Sequence, residues 1–96
     1  MKMVFIMYSI AINDEVMEIL KDAGIEGYTR WERTTGCGQT SGPHFGTHVW
    51  PPVNSVLAIA VEDDRKDKLI ERIKEVRKKL GKEGIKAFVL PLEEMT

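Results

Sequence analysis

The sequence has one cysteine among 96 residues. That is too few for a disulfide framework, and a lone thiol fits a reducing, cytoplasmic interior. It also lacks a charge excess: 14 Lys and Arg stand against 15 Asp and Glu, a formal net charge of −1. Such a balance supplies no basic stripe for nucleic acid and none for an anionic membrane surface. No apolar run approaches the roughly 18 residues of a membrane span, so no direct membrane insertion is expected. The opening MKMVFIMYSIAIN has one lysine and an apolar stretch but no small-residue cleavage site, and it reads as a buried strand, not a signal peptide. A chain this short is expected to form one domain, residues 1–96, around one core.

One segment lacks charge altogether. Gly36 to Pro52, GCGQTSGPHFGTHVWPP, contains no Lys, Arg, Asp or Glu in a chain where 30% of residues are charged. It concentrates both histidines, the only cysteine, four of eight glycines and one of two tryptophans. Pro51 and Pro52 pre-set an extended approach to the next apolar run, and Trp50 is large enough to pin the segment against a sheet or a partner.

Regular elements surround this segment. Val4 to Ile10 is continuously apolar and rich in strand formers. Asn13 is placed to cap a helix, with Asp14 and Glu15 at its positive end. Val16, Ile19, Leu20 and Ala23 then follow helical spacing up to Gly24. Tyr28 to Thr35 alternates bulky and polar residues, and Arg30, Glu32 and Arg33 suit an edge strand. Val53 to Val61 reads as a central strand. Asp63 or Asp64 opens a long helix with a buried stripe of Leu69, Ile73, Val76 and Leu80, beside Ile70. Its charged remainder reads as a solvated face, with Asp67 and Glu71 near Lys68 and Lys74. Gly81 and Gly84 end that helix, and Ile85 to Leu92 forms a last strand, which must be an edge because it contains Pro91.

The order β-α-β-β-α-β is the split βαβ pattern of α+β, ferredoxin-like folds: a four-stranded antiparallel sheet with both helices on one face. The strands are nevertheless apolar on both sides. Val4, Ile6 and Tyr8 oppose Met3, Phe5 and Met7; Leu57 and Ile59 oppose Val56 and Ala58; Phe88 and Leu90 oppose Ala87 and Val89. A sheet face of this kind calls for a partner, most simply further copies of the same chain.

Four motifs in this order carry a resemblance: Asp14-Glu15-Val16 opening the first helix, GIEGYT, GCGQ after the second strand, and KAFVLPLEEM at the end. Together they resemble the PII signalling proteins along nearly the whole chain. The resemblance implies a cytoplasmic, non-enzymatic homotrimer with inward-facing sheets. It also implies that Gly36 to Pro52 stands where the family carries its T-loop, which reports ligand occupancy to a protein target. A small effector, such as an adenine nucleotide or a small anion, is implied in clefts between subunits. Matched by motif, Thr29 lies near the adenine site and Gly36, Gly38 and Gln39 at the T-loop base. Gly81, Lys82, Gly84 and Lys86 match the turn before the last strand.

Three departures from the family pattern accompany the match. Pro52 or Asn54 replaces the basic residue at the T-loop exit, the sequence ends at Thr96 without an arginine-bearing tail, and the loop lacks a modifiable tyrosine. Phosphate recognition uses cationic groups, so weak ATP binding, or preference for a less charged ligand, is expected. The G-x-G at Gly36 and Gly38 is by itself equally a flexible turn or an anion nest. Cys37, His44 and His48 raise an alternative: these borderline ligands suit Zn or Cu, as in the trimeric CutA-type proteins. Equally, they suit hydrogen bonding to backbone or to a neighbouring subunit. With no acid in the segment to orient a histidine, nucleophilic catalysis is not expected.

Overall fold

A computed structural model describes residues 1–38, 42–44, 53–80 and 84–96 of the chain. The elements are β1 (Lys2–Ser9), a 3-10 turn (Ile10–Ile12), α1 (Asn13–Asp22), β2 (Thr29–Thr34), β3 (Gly36–Gly38), β4 (Gly42–His44), β5 (Asn54–Val61), α2 (Asp63–Leu80) and β6 (Ile85–Pro91). The main sheet has four strands in the order β2-β5-β1-β6, and β5 and β6 both pair antiparallel to β1. This is the ferredoxin-like arrangement. Pro91 lies on an edge strand, where its missing N–H breaks no ladder.

Strand alternation delivers Val4, Ile6 and Tyr8 to the helix-covered face, where they pack with Leu57 and Ile59 and are almost fully buried. Val16, Ile19 and Leu20 from α1 and Leu69 and Ile73 from α2 close the core from above. Val76 and Ile70 pack at its margin, but Leu80 is 47% exposed. The predicted stripe therefore ends one turn early, at Val76.

The termini of α1 differ in how they are closed. Gly24 adopts φ +72°, the left-handed conformation that lets Ile25 N–H reach the Leu20 carbonyl at 2.9 Å and Gly24 N–H the Lys21 carbonyl at 3.0 Å. These are the paired bonds of a Schellman ending, and Ile25 then drops into the core beside Leu20. A Cβ at Gly24 would meet only Arg65 Nε, at 3.9 Å, so space is not the constraint. Gly24→Ala is accordingly expected to destabilise by about 1–2 kcal/mol through backbone strain alone. A lowered urea midpoint at constant slope would register this; an unchanged midpoint would contradict it.

At the other end the expectation of an Asn13 cap is corrected. Asn13 already has helical dihedrals, and Ile12 occupies the cap position with no side-chain hydrogen bond. The intervening 3-10 turn moves the capping role back to Ser9, whose extended backbone lets Oγ accept from Ala11 N–H at 3.3 Å. Asn13 Oδ1 instead accepts from the buried Tyr8 hydroxyl at 2.6 Å, satisfying the one polar side-chain atom that Tyr8 brings into the core.

The described ion pairs on α2 are also not the predicted ones. Arg72 bridges to Asp22 of α1 at 2.9 Å and to Glu75 at 3.8 Å, and Lys66 pairs with Asp67. Tertiary proximity of the two helices supplies Asp22, which helix spacing could not reveal. At the start of α2, the Met1 amino group lies 3.3 Å from Asp63 and, with Lys2 nearby, holds that carboxyl below its ordinary value.

Candidate functional site

Thr29 is the first residue of β2, exposed, and in register with Ala58. That register places it on the face away from the helices. β2 then ends at Thr34, whose hydroxyl donates to the Asn54 carbonyl at 3.1 Å. This bond ties the point where the chain leaves the sheet to the point where it returns. Between these points the described residues form a small hairpin: Gly36 pairs with His44, Cys37 with Pro43 and Gly38 with Gly42. The segment expected to be a loop thus begins as a two-stranded extension. Gly36 is exposed, and a Cβ there would meet nothing within 4 Å. Packing inside one chain therefore does not demand glycine at that position.

The second group of residues lies elsewhere. Gly84 precedes β6, and its carbonyl accepts from Ser9 N–H at 3.0 Å. Lys86 is exposed on β6 in register with Met7, its ammonium 5.5 Å from the centre of the Phe88 ring. β2 and β6 are the two edges of the sheet. Three strand spacings separate them, about 14 Å, so one chain does not bring Thr29 and Lys86 together. Gln39, Gly81, Lys82 and His48 lie outside the described residues. Cys37 and His44 are one step apart in the hairpin register and are not each other's partners. Among the described residues, no three His, Cys, Asp and Glu side chains gather as a metal would require.

The helix-free face carries the apolar residues that alternation predicts. Met7, Trp31, Phe88 and Leu90 are between 39% and 49% exposed on it, and register places Phe5, Val56 and Ala58 among them. At one end of the sheet the GIEG portion of the GIEGYT motif borders a cleft of about 440 Å³, lined also by Ala60, Glu62 and Arg65. Arg65 contributes a guanidinium there, although its position in the charged run marks it only as part of a solvated helix face. The packing of α2 beside Gly24 carries it to this cleft.

The chain matches the family described as Nitrogen regulatory protein P-II over residues 1–96. Among solved structures it is similar to CPII, a nitrogen regulatory PII-like protein from Thiomonas intermedia K12, bound to ADP, AMP and bicarbonate. The identity is 21% and the TM-score 0.76, over 93% of this chain and 82% of that chain. The apo form of CPII is similar at 18% identity and a TM-score of 0.68, covering 93% and 85%. A PII-like signalling protein from Thermus thermophilus is similar at 22% identity and a TM-score of 0.64, covering 93% and 83%. At these identities the likeness establishes the fold. No curated protein matches. Among the described residues, no helix is long and apolar enough to cross a membrane.

Proposed function

Because the chain belongs to the nitrogen regulatory protein P-II family, we propose that it is a non-enzymatic, cytoplasmic regulator. It assembles as a homotrimer, binds a small effector in clefts between subunits and relays occupancy through residues 36–52 to a protein target. The observation that carries this reading is the separation of Thr29 on β2 from Lys86 on β6, the two opposite edges of the sheet. If these residues serve one ligand, a neighbouring subunit has to contribute one half. The exposed apolar face supplies the means of holding that neighbour.

The effector is read as an adenine nucleotide or a small anion. CPII is described with ADP, AMP and bicarbonate bound, which favours this class. Pro52 or Asn54 stands where the family pattern calls for a basic residue, and neither brings a positive charge to a phosphate. A nucleotide with fewer phosphates is therefore expected to bind more tightly than ATP. Calorimetry of the wild-type protein with ATP, ADP, AMP and bicarbonate tests this directly. Lys86→Ala is expected to weaken nucleotide affinity by roughly tenfold or more, the loss of a charge-assisted hydrogen bond worth about 1.5–3 kcal/mol. No binding of any of the four ligands would overturn the effector class, and unchanged affinity in Lys86→Ala would remove that residue from the site.

A further inference from the structure

A second cleft, of about 250 Å³, opens on the helix-covered side of β2 and is lined by Ile10, Asn13, Arg30, Glu32, Arg33 and Ser55. Strand alternation would send Glu32 and Arg33 to opposite faces. They share this cleft because β2 is bulged: Trp31 pairs with Val56 but Thr34 with Asn54, leaving one extra residue between them. Ser55, itself buried, secures the bulge by donating its hydroxyl to the Glu32 carbonyl at 2.7 Å. Bulges of this kind re-aim side chains.

The chemistry of the lining is uneven. Two arginines and one glutamate line the cleft, and among the described residues none of the three forms an ion pair. Arg30 is the least satisfied of them. Its Nη2 donates at 3.1 Å to Met17 Sδ, a weak acceptor, and its charge lies 5.4 Å from the centre of the Tyr28 ring. Its Nε is the one buried side-chain nitrogen or oxygen without a hydrogen-bond partner among the described residues. Asn13, with Oδ1 engaged by Tyr8, has its NH2 to donate. Ile10, partly exposed, adds an apolar wall.

We infer that this cleft binds the carboxylate group of a small metabolite through Arg30 and Arg33, with Asn13 as an additional donor. A planar carboxylate matches the guanidinium fork. By entering, it exchanges the Met17 thioether for an ionised acceptor, and the side-chain rotation that accomplishes this frees Nε from its unpartnered position. Glu32 keeps a single negative charge at the rim and limits the site to ligands of low charge. The site is distinct in place from the effector residues on the β2 and β6 edges, since it lies on the opposite face of the sheet.

Propionate is a suitable probe, because it offers a carboxylate and a short apolar tail for Ile10. In nitrogen–proton correlation spectra, the Arg30 Nε–Hε signal and the Ser55 amide should shift saturably with propionate, and not with chloride at the same ionic strength. Arg33→Gln, at an exposed position that should not disturb folding, is expected to weaken binding roughly tenfold. Arg30→Lys should lose it as well, because an ammonium keeps the charge but not the fork. Glu32→Gln should tighten it several-fold by removing a like charge. Equal shifts with chloride, shifts that never saturate, or wild-type affinity in both arginine variants would each overturn the inference.

Discussion

Phe5→Glu is expected to run as a single chain or fail to fold, where the wild-type protein is expected to run as the proposed trimer. Phe5 lies in a central strand on the helix-free face, in register with Ala58 on one side and Phe88 on the other. Removing such an aromatic from water contributes about 1.5–3 kcal/mol per chain, and a carboxylate in its place must be stripped of water at an effective cost of several kcal/mol. The sum exceeds what a small interface can absorb. Light scattering coupled to size exclusion reads the outcome. Because Phe5 is half-buried even within one chain, Phe88→Glu provides the second variant. Phe88 is on an edge strand and 42% exposed, so its replacement should leave the isolated fold standing while still breaking the assembly. A wild-type protein of single-chain mass would overturn the trimer.

The second large effect is expected in the core. Ile6 has no exposed surface and sits in register between Leu57 and Ala87, below the helices. Ile6→Ala removes buried methyl and methylene groups and leaves a cavity that two sheet neighbours cannot collapse to fill. The expected loss is about 2–5 kcal/mol, typical of large-to-small core changes. At fixed protein concentration, which matters for any assembling chain, this should lower the melting temperature by at least about 8 °C. A shift of only a degree or two would mean that the core relaxes around the deletion.

Much of this is legible along the chain because the signals are local. Alternation over Val4 to Tyr8 and helical spacing from Val16 to Ala23 reflect the two backbone periods directly. Gly24 marks a helix end because one residue must enter the left-handed region there. Pro91 marks an edge because it has no N–H to give. The two-sided apolar character of β1, β5 and β6 is equally plain, since it needs only the identity of successive residues.

The features hidden from the sequence depend on contacts that no local period encodes. Asn13 spends its side chain on Tyr8 instead of on the helix end because the 3-10 turn brings the Tyr8 hydroxyl within reach. Leu80 fits the helical stripe but stays about half exposed, outside the core. The bulge at Glu32 and Arg33 arises from pairing with β5, some twenty residues on, and no pattern within β2 announces it. Motif matching assigns Thr29 and Lys86 to one site, but only the strand order puts them on opposite edges. By itself the sequence determined the elements and which sides of them are apolar, because backbone period and residue type act over a few residues. The tertiary structure alone decided which side chains meet, because strand order and register are set by how the chain crosses over between strands.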